Sequence, residues 1–100
     1  MTVRKALFAR IEAKPGKEAA VQEFLTGAVK LANEEERTTV WFALKLGPST
    51  FGVFDAFADD AGRQAHLQGP IAKALMANAP ALLSQPPQID PIDVLSAKLA

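Results

Sequence analysis

The chain has 100 residues, of which 49% are hydrophobic and 22% are charged, a balance typical of a single globular domain. Eleven basic and eleven acidic residues cancel, which argues against binding to nucleic acid or to an anionic membrane surface. Cysteine is absent and there is one histidine, so disulfides, thiolate metal sites and a cysteine nucleophile are excluded, and no bound metal is expected.

The start of the chain carries charge too early for a signal peptide. No apolar run approaches the roughly 20 residues that cross a bilayer. We therefore expect a cytoplasmic protein that forms one domain over residues 1–100 and has no contact with a membrane.

The first third of the chain changes from a strand pattern to a helix pattern. Residues 3–13 alternate in polarity, as a half-buried strand does. After a Pro-Gly turn, apolar residues recur every three or four positions over residues 21–32, which predicts a helix of about four turns. The acidic run over residues 33–37 is interpreted as a solvated loop.

Three further strands are predicted. Residues 38–46 and 50–57 are rich in β-branched and aromatic side chains and lie at hairpin distance, which indicates two antiparallel strands. Residues 89–95 form the last strand, and Pro91 within it predicts an edge position, because proline cannot donate to a strand partner.

The helical segments between the third and fourth strands are delimited by capping residues and prolines. Asp59 or Asp60 is expected to cap a second helix, since acidic groups favour helix N-termini. Pro70 is well placed to begin a new helical segment, and Pro80 is expected to end it.

The order of elements, β-α-β-β-α-β, predicts an α+β fold. Right-handed crossovers would place both helices on one face of a four-stranded antiparallel sheet, the ferredoxin-like sandwich. The residues expected to face the helices are Leu7, Ile11, Phe42, Leu44, Val53 and Phe57.

The opposite sheet face would carry Phe8, Trp41 and Phe54. Rings of this size left in water form an apolar patch of the kind that marks an interface. We therefore predict a homodimer whose two sheets pack face to face. The alternative is that the rings are scattered and this face stays wet because of Arg10, Glu12 and Lys45.

Three stretches, residues 9–25, residues 54–70 and the P-P-Q-I-D tail, resemble the antibiotic biosynthesis monooxygenase domain family of the dimeric α/β-barrel group. The resemblance spans nearly the whole chain. It implies two sheets paired into a barrel-like dimer, with a pocket between sheet and helices in each protomer. The family includes oxygenases that act on polycyclic phenols or quinols without metal or flavin, together with members whose activity is unassigned. The Asn, Trp and His positions of its haem-degrading relatives have no counterpart here, so haem degradation is not expected.

Two residues are candidates for chemistry. Asp55 shares a face with buried apolar neighbours, where an unpaired carboxylate is costly, so it is either a proton acceptor or a structural group bonded to Arg63 or a backbone amide. His66 matches the His-Leu pattern of the family and could face the sheet and approach Asp55 as a base. The alternative is a buried histidine with a purely structural role.

Two functions are compatible with these residues. In the first, a monooxygenase without a cofactor uses His66 and Asp55 as catalytic residues on a small aromatic phenol or quinol. The substrate would bind against Phe42, Val53, Phe57 and Leu67. In the second, a non-catalytic dimeric barrel binds a small apolar ligand or serves as an interaction scaffold. An enclosed cavity lined by the two candidate residues favours the first function, and a packed interior favours the second.

Overall fold

The computed structural model describes residues 2–99. Its elements are β1 (Lys5–Glu12), α1 (Glu18–Gly27), α2 (Val29–Asn33), β2 (Val40–Lys45), β3 (Thr50–Phe57), α3 (Asp60–Leu67), α4 (Pro70–Leu82) and β4 (Gln88–Asp93). The four strands form one antiparallel sheet in the order β2-β3-β1-β4. The predicted α+β ferredoxin-like sandwich is therefore confirmed. Within the described residues, no helix is both long and apolar enough to cross a bilayer.

The strands follow the sequence pattern closely at the centre and at one edge. β3 covers the predicted residues 50–57 and pairs with β1 at the middle of the sheet. β4 is an edge strand, and its Pro91 lies opposite Leu7 of β1. The prediction that Pro91 marks an edge is confirmed.

The register of β2 corrects the predicted distribution of side chains between the two faces. Trp41 lies directly opposite Asp55 of β3, and Asp55 lies opposite Leu7 of β1, so these three share the face that the helices cover. Phe42 and Leu44 consequently lie on the uncovered face. Placing Trp41 on the uncovered face and Phe42 and Leu44 under the helices was wrong, because both alternating sets of β2 contain large side chains and only the pairing with β3 decides between them.

The main core lies between the helices and the covered sheet face. Trp41 packs there, against the apolar clusters around Leu25 and Ile71. The most deeply buried side chains of the core are Ile11, Val21, Leu25, Phe51 and Phe57.

The uncovered face carries a second apolar cluster. It consists of Val3, Ala6 and Ala56, with the partly buried Val40, Phe54, Ile92 and Val94 around them. Phe42 is 54% exposed on this face, and the ring of Phe8 lies on Gly52, where an added Cβ would come within 3.1 Å of it. Arg10 and Glu12 pair with each other at 3.3 Å, while Lys45, expected here, lies on the other face.

The helices agree with the predicted boundaries except at one proline. α1 and α2 are separated only by Ala28, whose backbone stays in the right-handed helical region. Asp59 caps α3 by accepting a hydrogen bond from the Gly62 N–H at 2.9 Å, and Pro70 begins α4 as predicted.

Pro80 does not end α4, which continues to Leu82. The proline removes one N–H from the helical ladder, but the following turn is still held by the Leu83 N–H, which donates to the Ala79 carbonyl at 2.8 Å. Lys14 Nζ donates to the Pro80 carbonyl at 2.7 Å. The bond within the helix and the bond from Lys14, just after β1, support the last turn, so the prediction that Pro80 ends the helix was wrong.

Candidate active site

Three ionisable side chains meet beneath the helices. The Nδ1 atom of His66 lies 2.7 Å from Oε1 of Glu35, and its Nε2 atom lies 2.9 Å from Oδ2 of Asp55. Their side chains are only 8%, 14% and 3% exposed, respectively. The imidazole is thus held at both ring nitrogens by a carboxylate, and these three side chains form the acid–histidine cluster.

Each member comes from a different element. The alternation of β3 directs Asp55 toward the helices, and α3 carries His66 above it. The ring of Phe57, also on β3, lies 5.5 Å from the imidazole between ring centroids. The contact expected between His66 and Asp55 is therefore present.

Glu35 was missed by sequence reasoning. It lies in the loop that follows α2 and was interpreted as part of a solvated run, which is wrong for this residue. Its Oε1 atom also accepts a hydrogen bond from Thr38 Oγ1 at 2.7 Å. Gly69 leaves room for the other oxygen, since a Cβ at that position would come within 3.3 Å of Glu35 Oε2. The pattern of three successive glutamates contains no signal that distinguishes this one.

The electrostatics of the cluster favour a charged imidazole. Burial alone would lower the pKa of His66, but the hydrogen bonds and charges of Asp55 and then Glu35 outweigh it and raise the pKa from 6.5 to about 9. At neutral pH both ring nitrogens therefore carry protons and donate to the carboxylates. Because the carboxylates contact opposite nitrogens, the three groups cannot converge on one ion. No set of three or more His, Cys, Asp or Glu side chains in residues 2–99 is arranged as a metal site.

A cavity of about 40 Å³ adjoins the cluster between the sheet and the helices. Asp55 and His66 contribute its polar lining, and the remaining walls are apolar, with Leu7, Leu67 and Ile71 among them. On the Glu35 side of the ring, a surface groove of about 150 Å³ is lined by Glu35, Thr38, His66 and Gly69, among others. His66 thus lies between an internal cavity and a groove open to solvent.

Three buried polar atoms have no hydrogen-bond partner among the described residues: Asp55 Oδ1, Trp41 Nε1 and Glu35 Oε2. Such atoms are costly to bury unpaired. The first two belong to residues directly opposite each other on neighbouring strands. Of these two residues, Asp55 lines the cavity, where a hydroxyl group has the chemistry to donate to its free oxygen.

The remaining predicted site residues are divided between the cavity and other surroundings. Val53 and Leu67 line the cavity, and Phe57 is fully buried beside His66. Phe42 lies on the uncovered face, so its placement in the pocket was wrong. Arg63 donates to Asp60 at 2.7 Å and to the carbonyls of Ala6 and Ile92, which corrects the alternative in which Arg63 bonds Asp55.

No family model and no curated protein matches the sequence. Solved structures match it over nearly its whole length. The NE2512 protein of unknown function from Nitrosomonas europaea is 66% identical, with a TM-score of 0.97 over 98% of this chain and 95% of that one. PA3566 from Pseudomonas aeruginosa is 22% identical, with a TM-score of 0.80 over 96% and 98%. An antibiotic biosynthesis monooxygenase is 16% identical, with a TM-score of 0.77 over 92% and 99%. At these lower identities, the last two structures show the fold alone.

Proposed function

We propose that this chain, which belongs to the same family as the NE2512 protein of Nitrosomonas europaea and has the monooxygenase-type fold of the antibiotic biosynthesis monooxygenases, oxidises a small aromatic phenol or quinol without a cofactor. One observation carries the proposal: Asp55 lines an apolar cavity, and one of its oxygens is buried without a partner while the other is bonded to His66. A phenolic O–H would donate to the free oxygen, and its ring would contact the apolar walls.

The first chemical step would be transfer of the substrate proton to Asp55 Oδ1. Sequence reasoning gave this role to His66, with Asp55 as its assistant. Because its raised pKa leaves a proton on each ring nitrogen at neutral pH, His66 has no lone pair to accept another. Its positive charge would instead stabilise the substrate anion.

The oxygen step can be written for an anthrone-type substrate in its phenolic tautomer. The O–H proton taken by Asp55 leaves an anion whose charge is shared between the oxygen and the opposite ring carbon, and this carbon forms a carbon–oxygen bond to O₂ in two one-electron steps. The resulting organic peroxide anion takes the proton back from Asp55. Loss of water then removes the remaining hydrogen of that carbon and breaks the O–O bond. One oxygen atom enters the product ketone, the other leaves as water, and the substrate supplies all four electrons.

The size of the cavity favours a second candidate function. A volume of about 40 Å³ is close to that of a single water molecule, roughly 30 Å³, so an aromatic ring fits only if lining side chains move. Phe24, Leu75 and Ile89 are large side chains of the wall that are not fully buried, and Ile89 is 41% exposed on the edge strand. If they do not move, the protein is a non-catalytic barrel that binds a smaller apolar ligand or serves as a scaffold.

Pairing of two copies through the uncovered faces is part of the proposal. With Phe42 in place of Trp41, this face still carries three phenylalanine rings, the others being Phe8 and Phe54. An exposed apolar face of this kind is self-complementary when two copies meet about a two-fold axis.

Oxygen uptake with anthrone and with menadiol tests the function. We expect Asp55→Asn to reduce the rate at least about 100-fold, as loss of a proton acceptor does. Asp93→Asn serves as a matched control, because Asp93 is exposed and, among residues 2–99, forms a salt bridge only with Lys5. Equal rates in the two variants would contradict the role of Asp55. A wild-type protein that consumes no oxygen but is thermally stabilised by these compounds would support the binding function instead.

A further inference from the structure

Glu35 occupies the side of the imidazole that faces away from the cavity. It contacts Nδ1 of His66 at 2.7 Å and lines the surface groove, whereas Asp55 contacts Nε2 and lines the cavity. A molecule bound in the cavity would touch Asp55 and His66 but not Glu35. Any effect of Glu35 on such a molecule must therefore pass through His66.

We propose that Glu35 is a positioning residue that keeps His66 charged and aimed at Asp55 while Asp55 accepts the substrate proton. The catalytic consequence of this inference rests on the proposed function. The effect of Glu35 on the charge of His66 concerns the acid–histidine cluster alone.

Proton transfer in the first step changes the charge balance of the cluster. When Asp55 takes a proton, it becomes neutral and no longer balances the imidazolium. A buried positive charge without a counter-charge is strongly disfavoured, so an isolated His66–Asp55 pair would resist accepting the proton. Glu35 remains as a carboxylate at 2.7 Å, and the imidazolium stays paired throughout. The second carboxylate therefore makes the first one a better proton acceptor.

The surroundings show that Glu35 is held for this contact. Thr38 Oγ1 bonds the same oxygen that accepts from His66, which fixes the orientation of the carboxylate. The exposed neighbours Glu34 and Glu36 have no such contact with His66.

Other charged groups near α3 are directed elsewhere. Arg63 is bonded to Asp60 and to two backbone carbonyls, and Arg37 lies 3.4 Å from Asp59. β1 and α4 contribute apolar side chains to the cavity around the cluster. Within the described residues, Glu35 and Asp55 are thus the two counter-charges of His66.

A single histidine in the chain makes the test direct, because its ring protons give one titrating set of NMR signals. We expect the Glu35→Gln variant, which keeps the shape but loses the charge, to titrate at least one pH unit below the wild-type protein, a tenfold loss of proton affinity. Glu34→Gln, the same change at the adjacent exposed position, should leave the titration unchanged. An unchanged titration in Glu35→Gln would overturn the inference.

The catalytic part is read from the pH profile. In Glu35→Gln, kcat should fall at least tenfold with little change in KM. The alkaline limb of the pH profile of kcat should move to lower pH together with the His66 titration. Glu35→Asp should recover part of the rate. If the titration of His66 shifts in Glu35→Gln but the wild-type protein has no oxygenase activity, the proposed function is refuted and the electrostatic role of Glu35 stands. An active enzyme whose titration and pH profile do not change in Glu35→Gln would refute the inference and leave the function standing. If Glu35→Gln does not fold, Thr38→Val provides the same test, since it removes the hydrogen bond that orients Glu35.

Discussion

Raising the pH from 6 to 10 should destabilise the folded chain by about 3 kcal/mol through His66 alone. The folded protein holds the pKa of His66 at about 9, against 6.5 for the free side chain, and each pKa unit corresponds to about 1.4 kcal/mol. Because the folded pKa is the higher one, this stabilisation is complete below pH 6.5 and is lost as the pH rises through 9.

Few other groups in the chain change protonation in this range. There is one histidine and no tyrosine or cysteine, so the chain has no second side chain of a type that ordinarily titrates between pH 6 and 10. The slope of the free energy of unfolding between pH 6.5 and 9 can therefore be assigned to His66 with one control variant.

Urea unfolding followed by the fluorescence of the single tryptophan measures this slope. The protein concentration is kept constant, because self-association would make the midpoint depend on it. His66→Gln should be less stable at pH 6, since it leaves two buried carboxylates without their cation, and its free energy of unfolding should no longer fall with pH across this range. A wild-type free energy of unfolding that does not change with pH, or a slope that persists in His66→Gln, would contradict the assignment of this stabilisation to His66.

Two further predictions concern the uncovered face and a helix cap. Phe42→Glu should convert the proposed dimer to a monomer in light scattering. Met76→Glu, on α4 and 55% exposed against 54% for Phe42, should leave it a dimer, and a dimer in both variants would exclude the uncovered face as the interface. Asp59→Ala should cost about 1 kcal/mol of stability in urea unfolding, because the Gly62 N–H loses its cap, and no loss would contradict the cap.

Much of the fold could be predicted because local pattern and tertiary position agree. The bounds of β3 follow from its β-branched and aromatic content, while the edge position of Pro91 and the helix start at Pro70 follow from the restricted backbone of proline. The face assignment of β2 failed because Trp41 and Phe42 are both large and apolar, and alternation cannot decide between two apolar sets. Pro80 failed as a helix end because hydrogen bonds from Lys14, just after β1, support the last turn and offset the one lost hydrogen bond.

The candidate site could be predicted only in part, and for a related reason. Asp55 stood out because a carboxylate interrupts an apolar strand face, and His66 stood out because it is the only histidine. Glu35 lies between two other glutamates, and nothing local separates it from them. Its role depends on contacts with Thr38 and His66. His66 lies 31 residues further along the chain, so this contact exists only in the folded structure.

Gly52 determines how closely the Phe8 ring lies to the uncovered face of the sheet. A methyl group there would come within 3.1 Å of the Phe8 ring and within 3.3 Å of the Ala9 carbonyl oxygen, so any larger residue would tilt the ring outward. In the proposed dimer, Gly52 sets how far the Phe8 ring projects toward the second molecule, although Gly52 itself makes no contact with that molecule. A substitution at Gly52 would therefore change the packing of the two copies without changing any side chain in the interface.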